Sequence, residues 1–126
     1  IRELISRIIH GHQTENGKHH CLVQKRGLNR YWGDNFERSD KEGDFISAEW
    51  PMFFFWISII YSQLHESEEA FRWFMRGTIQ IINNEIPEAY RNQKPNHRIP
   101  LAWAHAIALV AWSKLTEEAR TKINAH

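Results

Sequence analysis

Three short stretches hold the side chains whose types and spacing could do chemistry. Glu85-Ile86-Pro87-Glu88-Ala89-Tyr90 is a carboxylate-bearing loop that leads through a polar connector into an apolar segment, a common way to build a pocket. Arg30-Tyr31-Trp32-Gly33-Asp34 sets a guanidinium, two aromatic rings and a carboxylate side by side in a long irregular stretch. Loops longer than about a dozen residues in a compact domain are usually functional or disordered, and this composition favours function. His10, His12, His19 and His20 form a third group that invites a metal. Each has a plainer reading: Glu88 as a solvated loop carboxylate, and Arg30 with Asp34 as a surface ion pair worth little energy. The histidines lack a Cys or carboxylate at zinc-finger spacing, and catalytic zinc needs three convergent ligands, so no metal site and no cofactor is assigned. Trp32 and Tyr90, on loops, are the candidates for stacking on a sugar.

These stretches must be held by helices. Leu101 to Leu115 is apolar around nearly its whole circumference, which predicts a helix buried on most sides, with Pro100 in its first turn. It is too short for the roughly twenty residues that cross a bilayer, so no membrane partner is expected. Met52 to Tyr61 is likewise apolar on every side, with Ser47 as the expected cap and Glu49 as a first-turn partner of the helix dipole. Phe53 to Trp56 reads as core. Ile1 to His10 and Ser67 to Asn83 are amphipathic, capped in the second case by Ser67; a last helix follows Thr116. The connector from Arg91 to Ile99 reads as irregular.

The helix types alternate: amphipathic, buried, amphipathic, buried, amphipathic. A two-layer ring of helical hairpins produces that alternation, with inner helices pointing one way and both chemically interesting loops on one rim. The totals agree with one ordinary all-α region: 126 residues, 42% hydrophobic and 25% charged. With 16 basic and 15 acidic side chains, spread along the chain, nothing favours a nucleic acid or an anionic membrane. Cys21 stands alone, so a reducing, cytoplasmic setting is expected.

Arg30-Tyr31-Trp32-Gly33-Asp34, Glu49-Trp50-Pro51-Met52-Phe53-Phe54, Pro87-Glu88-Ala89-Tyr90 and Pro100-Leu101-Ala102-Trp103-Ala104-His105-Ala106 occur in an order that resembles the C-terminal half of a glucoamylase-type (α/α)6 toroid. That superfamily is glycoside hydrolase family 15, with the glucoamylase-like domains of phosphorylase kinase regulatory subunits. The resemblance spans about residues 22 to 115. It implies Glu88 as the catalytic general base, Arg30 and Asp34 as members of a sugar-contacting Arg-Tyr-x-x-Asp loop, and Trp103 as the aromatic close behind the base. The Glu49-Trp50-Pro51 start is closer to the kinase subunits than to fungal glucoamylases.

Inverting glycoside hydrolysis needs a protonated and an ionised carboxyl roughly 6.5–9.5 Å apart. The family's acid comes from an upstream Trp-Glu-Glu type segment, which this sequence lacks; Glu68-Glu69 belongs to a helix cap. The expectation is therefore four or five helices of a larger toroid, residues 1–126 forming a single helical region. The first function expected is inverting hydrolysis of α-linked glucose from glucan or oligosaccharide ends in the intact parent, with this chain inactive alone. Its partners would be the glucan and the rest of the parent. The alternative is a non-catalytic regulatory or interaction domain of the kinase-subunit type; an independent helical adaptor comes third, opposed by the greasy helices.

Overall fold

Apolar residues at nearly every turn of Met52–Gln63 make that helix, α2, the centre of the molecule. In a computed structural model, residues 1–13, 15, 17, 19–31, 34, 39–41 and 44–125 are described. The other helices among them are α1 (Arg2–His10), α3 (Ser67–Thr78), α4 (Ala102–Lys114) and α5 (Glu117–Asn124). Mostly helical architecture is thus observed, in the expected order. Short antiparallel pairs complete it: β1 (His12–Gln13) with β2 (His19–His20), β3 (Ser39–Lys41) with β4 (Asp44–Ile46), and β5 (Tyr90–Arg91) with β6 (Lys94–Pro95).

α2 packs on α3 and on α4, and α3 also touches α5. A row of rings crosses the three helices: Phe55 meets Phe74 edge-on at 5.4 Å, and Phe74 meets Trp112 at 5.8 Å. Fully burying one such side chain contributes about 1.5–3 kcal/mol. Gly77 exists for this contact, since a Cβ there would come within 2.5 Å of the Phe55 ring. Ser58, a fully buried polar residue of α2, donates to the Ala70 carbonyl at 2.7 Å, so its own hydroxyl is met.

Several local expectations are corrected. α4 is not buried on most sides: only Ala104 and Ala111 are enclosed, while Trp103 is 66% exposed and Leu109 70%. α2 and α3 cover one flank and the described residues supply no helix for the other. Trp56 is also not core; it is 42% exposed beside a small cleft that Arg30 lines. Pro100 stands before α4, whose N-cap is Leu101, because the Leu101 N–H is held on the Ile86 carbonyl at 3.1 Å. Ser47 does not cap α2; Pro51 occupies that position, since residues 48 to 50 run extended into bridges with Leu28 and Tyr90. α3 starts from Glu66 rather than Ser67 and stops at Thr78, and Glu66 pairs with Arg2 of α1. Thr116 does cap α5, its hydroxyl accepting the Ala119 N–H at 3.2 Å.

Candidate functional site

The polar connector after Glu88 folds back as a hairpin. Asn92 and Gln93 take φ 47° and 65°, and two left-handed residues between paired strands make the turn whose twist suits a two-residue hairpin. Tyr90 pairs with Pro95 and Arg91 with Lys94. The ladder continues as the Asn96 N–H donates to Ala89 O at 2.8 Å and the Glu88 N–H to Arg98 O at 3.1 Å. That register puts Asn96 and Arg98 beside Glu88.

Glu88 is 8% exposed. Asn96 Nδ2 donates to its Oε2 at 2.8 Å, and the Arg98 guanidinium approaches both oxygens at 3.4 Å. A carboxylate that only accepts is thus met by donors on one side, which fixes its plane. Asn96 Oδ1 is buried and has no hydrogen-bond partner, so the amide's orientation is set by Glu88 alone. An ordinary loop carboxylate would not be caged in this way.

The second part of the site comes from the loop between Cys21 and Asp34. Leu28 bridges Trp50 in both directions, at 3.1 and 2.8 Å, and Gly27 lies so close to the Trp50 backbone that a Cβ would fall on it. Glycine is therefore required by close approach. Arg30 grips Asp34 with two hydrogen bonds, Nε to Oδ2 at 2.7 Å and NH2 to Oδ1 at 2.8 Å. Asp34 is fully buried, so the pair is not the weak surface bridge of the plainer reading; it is a charge-assisted fork that fixes the guanidinium plane. Arg30 lies 4.8 Å over the Trp50 ring and 5.7 Å from the Tyr31 ring centre. Its pKa is raised above the usual arginine value, chiefly by the Asp34 hydrogen bond, with Glu88 among the charges that contribute. The bridges of Leu28 to Trp50 and of Glu49 to Tyr90 bring the two loops alongside each other.

Between the two parts stands Glu49, 6% exposed. It is no first-turn dipole partner, because it precedes α2 in an extended bridge with Tyr90. Tyr90 has also exchanged roles. Its hydroxyl donates to Gln80 O at 2.9 Å and Arg26 lies 5.2 Å over its ring, so it is enclosed and offers no face for stacking. Burial raises its pKa, with Arg26 opposing. Trp103 stands exposed in the first turn of α4, and among the described residues its ring stacks on no other. Trp32 lies outside the described residues.

The structure thus brings Glu88, Arg30 and Asp34 to one side of the molecule. The sequence reading missed Asn96, Arg98 and Glu49. An Asn-Gln pair inside a short polar connector was the available signal for the hairpin that places the first two. A groove of about 600 Å³ between α3 and α5 is lined by Phe71, Met75, Arg76 and Lys122 and involves none of these residues. Among the described residues no three His, Cys, Asp or Glu side chains converge as a metal would require. No helix among them is long and apolar enough to cross a membrane. Comparisons with known protein families, with curated proteins and with solved structures found no match.

Proposed function

We propose that this chain forms one wall of a carbohydrate site in a glucoamylase-type helical toroid, and that Glu88 is the general base of an inverting α-glucan hydrolase. The observation that carries the reading is that a caged carboxylate, Glu88, and a guanidinium fixed by Asp34, Arg30, lie on two loops that both bridge the strand-like stretch Glu49–Trp50. In this reading Arg30 binds sugar hydroxyls, Asp34 holds it in plane, and Glu88 accepts a proton from the water that attacks the anomeric carbon. Asn96 and Arg98 aim the carboxylate. The general acid comes from another part of the parent. The exposed apolar flank of α4 supports a toroid in which a further helix packs there.

One observation favours a second reading, a non-catalytic sugar-sensing or interaction domain. Both Glu88 oxygens already have donors and little of the residue reaches solvent, which suits a structural carboxylate as well as a base. Glucose release from maltooligosaccharides by the intact parent separates the two. Under the hydrolase reading Glu88→Gln abolishes release, by a factor of about 10² or more, and keeps oligosaccharide affinity within a few-fold. Wild-type turnover in that variant removes Glu88 from the mechanism; sugar binding with no release in the wild type selects the regulatory domain.

A further inference from the structure

Glu49 belongs to neither half of the site, yet both halves end on it. Its backbone exchanges hydrogen bonds with Tyr90, at 2.9 and 2.8 Å. Its carboxylate reaches in two directions: Oε2 accepts the Arg26 backbone N–H at 2.5 Å and Oε1 accepts Gln93 Nε2 at 2.8 Å. Arg26 begins the turn that runs through Gly27 and Leu28 to Arg30. Gln93 is in the tip of the hairpin whose stems present Glu88 and Asn96. One buried carboxylate therefore ties the loop that carries the cation to the hairpin that carries the candidate base.

We propose that Glu49 is a positioning residue that couples the two halves, so that Arg30 and Glu88 are held in register with each other rather than each by its own loop. The inference rests on the reading of this region as a sugar site, and its physics is the matching of acceptors to donors. An ionised carboxylate has two acceptor oxygens and no donor, and here each oxygen meets one N–H. Glu49 is 6% exposed, so its own oxygens depend on these two donors, whereas Gln93 stands exposed at the hairpin tip and gives the weaker of the two links. The backbone bridge between Glu49 and Tyr90 brings the strands together. The side chain extends that link to the loop on one flank and the hairpin tip on the other.

The acceptor requirement gives a specific test. Glu49→Leu keeps much of the volume and removes both acceptors, so the Arg26 N–H and Gln93 Nε2 lose their shared partner. Glu49→Gln with Gln93→Glu keeps the match: the new amide accepts from Arg26 and donates to the new carboxylate. Gln93→Ala removes the hairpin contact alone.

The experiment measures backbone deuterium exchange in segments 24–30 and 88–98 of the intact parent, together with maltooligosaccharide affinity. We expect Glu49→Leu to speed exchange in both segments and to weaken binding about tenfold, on the scale of losing one hydrogen bond to a charged group. Gln93→Ala should speed exchange in 88–98 and leave 24–30 protected. The double exchange should recover protection in both segments and affinity to within about threefold, which a general loss of packing would not allow. Unchanged exchange in 88–98 for Glu49→Leu, or no recovery in the double variant, overturns the coupling. If the wild type binds no oligosaccharide while the exchange pattern holds, the sugar reading falls and the coupling stands; sugar binding with an unresponsive exchange pattern has the opposite meaning.

Discussion

α2 and α4 carry the same kind of sequence, apolar around the whole circumference, and live in different surroundings. α2 packs against both α3 and α4, and five of its residues are buried, Phe54 and Phe55 completely. α4 has partners on one flank and leaves Trp103, Leu109 and Val110 in solvent. Hydrophobic periodicity therefore specifies that a helix wants covering, and it does not say whether the described chain supplies the cover. The contrast supports the larger toroid proposed above, because α4 is the place where a further helix would pack.

Substitutions can break or sharpen that contrast, and the largest effect falls on α2. Phe55→Ala removes a fully buried ring and its edge contact with Phe74, and should cost about 3–5 kcal/mol by thermal or denaturant unfolding. A loss under about 1 kcal/mol would mean that α2 is not the packed centre. Gly77→Ala pushes a methyl group toward the same ring and should destabilise by about 1–3 kcal/mol through overpacking. Thr116→Ala, which deletes the α5 cap, should cost about 1 kcal/mol and leave α2 unaffected. Leu109→Ser on the open flank of α4 should change the stability of this chain by less than about 0.5 kcal/mol. In the intact parent the same substitution should cost more, and an equal small effect in both would show that the flank stays exposed.

The helices were legible because α1 and α3 carry apolar residues at helical spacing, while α2 and α4 are apolar runs too long for a strand and α5 follows a Thr-Glu-Glu cap. Their starts were harder to read. Ser47 has the chemistry of a cap, but the Leu28 and Tyr90 bridges pull residues 48 to 50 into extended backbone, and that pairing lies far off in the sequence. Glu88 and the Arg30–Asp34 pair were visible as chemistry-bearing residues, and the bridges of Leu28 to Trp50 and of Glu49 to Tyr90, which run their loops past each other, were not. Tyr90 was misread because an aromatic on a loop gives no sign of the Gln80 carbonyl that receives its hydroxyl. Asn96, Arg98 and Glu49 escaped because their roles depend on hairpin register. The turn that sets it uses Asn and Gln in left-handed backbone without the glycine that usually announces such a turn.

The central claim is that Glu88 activates water for a single inverting displacement. The most direct measurement follows the anomeric proton of the first glucose released from maltooligosaccharide by the intact parent, with Glu88→Gln in parallel. The account predicts β-glucose as the first product and none from the variant. α-Glucose as the first product, or equal release from the variant, would contradict it.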